Sequence, residues 1–272
     1  MMLVKSRKFE VGKSHQEIKR MAVLLGFDPG GEDGYGWCVA KHALVLPLQI
    51  RKTGVVGNIR DALREIKPHI ATGEQIVAAG IDAPLFWVSS GDRRVDQVLR
   101  RELSALGARS PGGTVQSVNS LRGACLVQGI MTGVLLRDAF GSLPITESHP
   151  KALLWLLRLA NPRQHPSGIA LSALSQIRIM KSEDGTDHER DAALASLSAW
   201  AMLSQPPGWR NLYLEEQNPY SPIASPLGYW MPHLVEAPTE AKEVSAADQI
   251  EQQAVLRYSM KQARKVAQEN PY

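Results

Sequence analysis

Cysteine is nearly absent from this chain. Cys38 and Cys125 are the only two, too few for a disulfide framework or a cysteine-based zinc site. Cys38 falls in a predicted strand and Cys125 in a predicted helix, the pattern of buried thiols in a reducing compartment. Long apolar runs are also lacking, and no stretch approaches the roughly 20 residues of a membrane span. Residues 1–20 are polar and carry no apolar core of a secretory signal. The expectation is a cytoplasmic protein with no membrane partner. Nor is there a strong charge of one sign: 31 Lys+Arg against 27 Asp+Glu leave +4. That balance permits nucleic acid as a partner without demanding it, since strong binders show a clear basic excess or stripe.

What is present is ordinary globular content, 44% hydrophobic over 272 residues, enough for one sizeable α/β domain with appendages or two small ones. Three short apolar runs each end on a carboxylate: Met21 to Asp28, Gln75 to Asp82, and Leu143 to Glu147. Nearly all-apolar runs bounded by turn residues read as strands buried on both faces of an α/β sheet. Ligands in such sheets sit at the carboxyl ends of the strands, where Asp28, Asp82 and Glu147 fall. A fourth acid, Asp191, begins the small-residue helix Asp191-Ala-Ala-Leu-Ala-Ser-Leu-Ser-Ala-Trp-Ala. Carboxylates gathered at one place repel unless cations neutralise them, so the pattern points to a divalent-metal site and phosphoryl-transfer chemistry.

Residues 1–20 form a polar lead-in. After the first strand and the turn Pro29 to Gly34 come two further strands, at Gly36 to Lys41 and Leu44 to Thr53. Helices are predicted over Asn58 to Ile70, Asp92 to Leu106, Ser120 to Phe140, Lys151 to Ala160, Pro166 to Met180 and Asp187 to Leu203. Gln205 to Pro238 holds seven prolines, two tryptophans and three tyrosines, and reads as a long aromatic loop wrapping the surface or lining a cleft. Ser245 to Gln268 closes the chain as a charged helix within a 236–272 extension. This helix is a candidate for contact with a protein partner or a second copy. Strand order and connections describe a mixed sheet with helices on both faces.

Each acid also has a structural reading. Asp28 and Asp82 precede turn residues and can simply open turns, and Glu147 can cap the following helix. Asp191 differs, because its helix has almost no polar surface and an unpaired buried carboxylate is expensive. His188 lies one turn before Asp191, on the same helical face, where an imidazole can hold a nucleophilic water or a leaving phosphate. Asp187 and Glu189 suit the helix dipole.

The segments Gly26-Phe-Asp28-Pro-Gly-Gly, Gly80-Ile-Asp82-Ala-Pro-Leu85, Arg94-Val-Asp96, Glu147-Ser-His-Pro150 and Asp187-His-Glu-Arg-Asp191-Ala resemble a family of uncharacterised, predicted ribonuclease H-like nucleases. That group is similar to the retroviral-integrase and RuvC-type superfamily. The resemblance spans residues 21–235, and His188-x-x-Asp191-Ala also looks like the last catalytic element of RuvC-type domains. It implies a ribonuclease H-like domain whose Asp28, Asp82, Glu147 and Asp191 hold Mg²⁺ or Mn²⁺, with Asp28 as the bridging ligand and His188 assisting. The implied activity is metal-dependent hydrolysis of phosphodiester bonds in nucleic acid. Glu147 departs from the RuvC-type pattern, which places its second acid on the strand corresponding to Asp82.

Arg93, Arg94, Arg100 and Arg101 share one predicted helix, as a phosphate-contacting face or as a solvated face with internal ion pairs. Trp209, Tyr213, Tyr220, Tyr229 and Trp230 either stack on unpaired bases or staple their loop to the body. Two other functions compete with nuclease. One is a non-catalytic nucleic-acid-binding or scaffold subunit of the same fold. The other is an actin-like ATPase or kinase, disfavoured because Ile81-Asp-Ala-Pro-Leu-Phe lacks a second glycine-rich phosphate loop.

Overall fold

A computed structural model describes residues 22–42, 48–89, 92–118, 123–157, 186–224 and 226–233. The chain divides into two compact units, Met1–Leu234 and Val235–Tyr272, and every described residue lies in the first. The predicted lead-in, the helix over Pro166 to Met180 and the C-terminal helix all lie outside the described residues.

The described residues form a mixed seven-stranded sheet with α-helices on both faces. In chain order the strands are β1 (Ala22–Pro29), β2 (Tyr35–Lys41), β3 (Gln49–Val56), β4 (Gln75–Ile81), β5 (Ile145–Glu147), β6 (Trp209–Asn211) and β7 (Leu227–Pro232). The helices are α1 (Ile59–Ile66), α2 (Arg94–Ala105), α3 (Pro111–Thr114), α4 (Gly123–Phe140), α5 (Pro150–Leu156) and α6 (Asp187–Ser204). Across the sheet the order is β3-β2-β1-β4-β5-β7-β6. β1, β4, β5 and β7 run parallel, while β2 and β6 are antiparallel to their neighbours.

Alternation along β1 divides the core. Val23, Leu25 and Phe27 pack with Ile59, Ala62 and Ile66 of α1 and Leu136 of α4. Leu24 faces the other way, with α2, α5 and the alanines of α6. The second face is close-packed because glycine and alanine meet there. A Cβ on Gly26 would lie 1.9 Å from the carbonyl oxygen of Ala192, and one on Gly80 would lie 1.8 Å from that of Ala195. Helix α6 therefore rests its backbone directly on β1 and β4.

Three expectations are corrected. The Gln205 to Pro238 stretch is no simple loop: β7 joins the sheet beside β5, and β6 pairs with β7. Prolines hide both strands, since Pro226 and Pro232 bracket β7 and read as breakers. Secondly, α2 begins at Arg94, with Arg93 extended before it. Thirdly, the expectation that no stretch approaches a membrane span fails for α4, which has 18 residues at mean hydropathy 1.2 and is long and apolar enough by that measure. In this fold α4 buries Gly129, Thr132, Gly133 and Leu136 and leaves Val127, Met131 and Val134 exposed.

Candidate active site

Strand register places the first two acids side by side. Phe27 of β1 partners Ile81 of β4, and the amide of Asp82 donates to the Phe27 carbonyl at 2.8 Å. Asp28 and Asp82 thus follow one rung at the carboxyl ends of adjacent parallel strands. The next strand aligns Ile81 with Glu147. Helix α6 delivers Asp191 from above, because its contact with Gly26 falls at Ala192, one residue later. Its N-terminus is fixed by a capping box: Thr186 Oγ1 accepts from the Glu189 amide, and the Glu189 carboxylate accepts from the Thr186 amide at 2.9 Å. Glu189 also accepts from the Thr53 hydroxyl of β3 at 2.9 Å.

The three aspartates act on one another. Burial, then the charges of Asp82 and Asp191, push the Asp28 carboxyl up to about 9, against the opposing pull of Lys151 and Arg190. Burial and then Asp82 push Asp191 up to about 6, with Arg190 opposing. Each acid also faces a basic group. His188 Nδ1 and Asp28 Oδ2 lie 2.6 Å apart, Arg190 contacts Asp191 at 2.8 Å, and His149 Nδ1 lies 3.6 Å from Asp82 Oδ1. Among the described residues no three His, Cys, Asp or Glu side chains are grouped as a formed metal site.

The glycine-rich turn after β1 makes room for His188. A Cβ on Gly36 would meet the His188 carbonyl oxygen at 2.2 Å, and one on Gly34 would meet Nε2 at 3.0 Å. Gln128 of α4 holds the turn by donating to the Gly30 carbonyl at 2.7 Å. His149 Nε2 donates to the Thr114 carbonyl at 2.7 Å, leaving Nδ1 toward Asp82. Both ring nitrogens therefore face acceptors, which favours the imidazolium. Burial pulls the His149 pKa down, but the Asp82 interactions and the Thr114 carbonyl outweigh it, and the net direction is up.

A cavity of about 170 Å³ opens here, lined by Asp28, Asp82, Thr114, Cys125, His149 and Lys151 among others. Burial, then the charges of Asp82, Asp28 and Glu147, push the Cys125 thiol up to about 12 and so favour its protonated form.

Two groups of predicted site residues are placed differently. Glu147 is buried and fully engaged, accepting from Arg93 Nη2 at 2.7 Å, from Arg93 Nη1 at 2.8 Å and from the Leu85 amide at 2.9 Å. Arg93, predicted to contact phosphate, is 3% exposed. It spans Glu147 and Asp96 and lies 4.5 Å over the Phe86 ring, so no guanidinium face is left for a phosphate. Arg100 pairs with Asp92 and donates to the Val115 carbonyl. Arg94 and Arg101 alone of the four are exposed.

The aromatics divide likewise. Tyr229 is buried, Trp209 packs edge-on to Trp200 and Tyr213 edge-on to Phe86, and Trp230 is half-buried. Tyr220 is exposed. Sequence reasoning misses His149, Lys151, Arg190 and Trp87. The first three carry a legible signal, a cation within four residues of a predicted acid. Comparisons with protein-family models, curated proteins and solved structures find no match to this chain.

Proposed function

We propose that the protein is a divalent-metal-dependent nuclease with a ribonuclease H-like arrangement. The observation that carries the reading is the convergence of Asp28 and Asp82 at the carboxyl ends of adjacent parallel strands, with Asp191 brought over them by α6. There burial and the neighbouring charges of Asp82 and Asp191 push the Asp28 carboxyl up to about 9. Such crowding is costly to stability and suits a cation. The donor set, all carboxylate oxygens, fits a hard ion such as Mg²⁺ or Mn²⁺. The strand order supports the fold assignment, with β1, β4 and β5 parallel and only β2 reversed within β3-β2-β1-β4-β5.

In this reading Asp28, Asp82 and Asp191 would hold the metal, and Glu147, engaged by Arg93 and the Leu85 amide, would support them. A bound ion supplies an activated water and stabilises charge on the departing oxygen. His188 orients the Asp28 carboxylate, as His149 orients that of Asp82. Lys151 brings a positive charge to the cleft, where a phosphate would enter. Arg190 pairs with Asp191 and would hold that carboxylate in place beside the other acids.

A second reading, a non-catalytic nucleic-acid-binding subunit, is favoured by the basic partner beside each acid. One experiment separates the two. Wild-type protein with Mn²⁺ should cleave labelled oligonucleotides, and Asp28→Asn and Asp191→Asn should abolish cleavage while remaining folded. Binding without cleavage by wild type would favour the second reading.

A further inference from the structure

Trp87 and Tyr220 are 45% and 68% exposed and partner each other in an isolated antiparallel bridge. They exchange both backbone hydrogen bonds at 2.8 Å. Residues directly opposed in such a pair send their side chains to the same face, with Cβ atoms about 4.5–5.5 Å apart. Two large exposed aromatic side chains thus leave the same side of one backbone bridge, and neither ring packs on the other or on a further ring among the described residues.

The platform is rigidly tied to the candidate active site. It ends the segment that starts at Asp82, and Ala83 and Pro84 of that segment line the cleft. Leu85 is fixed by Glu147 through its amide and by the Ser221 hydroxyl, which donates to its carbonyl at 2.6 Å. Phe86 lies against the Arg93 guanidinium, and Tyr220 then holds Trp87. Five residues of chain reach at most about 18 Å, so the rings lie within a few nucleotides of the acids.

We propose that Trp87 and Tyr220 form a stacking platform for unpaired bases, so that the preferred substrate is single-stranded nucleic acid. The inference rests on the nuclease reading for what happens to the bound strand. Base-on-ring stacking tolerates any sequence because every base has a π-face. A duplex keeps its bases stacked on one another and offers none to the platform.

The test is fluorescence anisotropy on the full chain, in chelator, with a labelled single-stranded oligothymidylate, an oligouridylate and a duplex of equal length. Removing both rings in W87A/Y220A should weaken binding of at least one single strand by about 5-fold or more. Duplex binding should stay unchanged, and W87F/Y220F should keep most of the single-strand affinity. Both side chains are exposed, and an unchanged melting curve would confirm that the variants fold. Equal weakening of strand and duplex, or no weakening, would overturn the platform. If Asp28-dependent cleavage persists alongside that negative result, the nuclease reading stands alone. If the rings govern single-strand binding but wild type cuts nothing with Mn²⁺, the platform stands and the nuclease reading falls.

Discussion

Gly26 lies so close beneath α6 that a Cβ there would sit 1.9 Å from the Ala192 carbonyl oxygen. The Asp191 carboxyl is carried by the residue just before that point of closest approach. Gly26→Ala should therefore lift the helix and move Asp191 away from Asp28. The destabilisation should reach or exceed the ~1–3 kcal/mol usual for overpacking, because the clash is with backbone. Urea denaturation reads the effect, and metal affinity by calorimetry should fall with it. Gly80→Ala should behave alike through Ala195.

Asp28 makes stability depend on pH. Its folded pKa, about 9, lies far above the ordinary 3.8, so the folded state keeps a proton that the unfolded chain releases. The contribution is fully present below about pH 4 and is lost as pH rises through about 9. Asp191, raised to about 6, adds to the lower part of that window. Metal-free wild type should thus weaken between about pH 5 and about pH 8, with a ceiling of about 1.4 kcal/mol per pH unit for each of the two protons, the second counting only at the acid end. Asp28→Asn should flatten the profile in thermal melts. Mn²⁺ should protect wild type most at the alkaline end.

The arginines of the α2 region should separate by role. Arg93→Ala leaves Glu147 and Asp96 as buried carboxylates without their cation, a destabilisation of the order of 3–5 kcal/mol, seen in denaturant melts. The exposed pair behaves otherwise. Arg94→Ala with Arg101→Ala should leave the melt unchanged. It should also make nucleic-acid binding less sensitive to salt, lowering the slope by up to about one for each phosphate these side chains neutralise.

Legibility follows locality. β1, β4 and α6 can be read because their signals are local: apolar runs that stop at an acid, and an acidic first turn that opens a small-residue helix. The nearness of Asp28 to Asp82 follows once the two strands are neighbours. Arg93 misleads because its partner Glu147 comes from a distant strand, and nothing near position 93 tells a buried guanidinium from a solvated one. Trp87 is silent in the sequence for the same reason, since its partner is Tyr220. β7 is hidden by prolines that serve as its ends.

The pinning of the Asp82 segment by Tyr220 and Ser221 has a temporal meaning. All three aspartates are synthesised by residue 191, but the residues that clamp the segment after Asp82 follow nearly thirty positions later. A nascent or prematurely cut chain therefore carries every acid and still lacks the set loop beside them. Long-range closures of this kind form late, since their entropy cost precedes any gain. The loop beside the acids is set only once Tyr220 and Ser221 are in place, and fragments ending before Tyr220 should carry the acids with the segment after Asp82 unclamped.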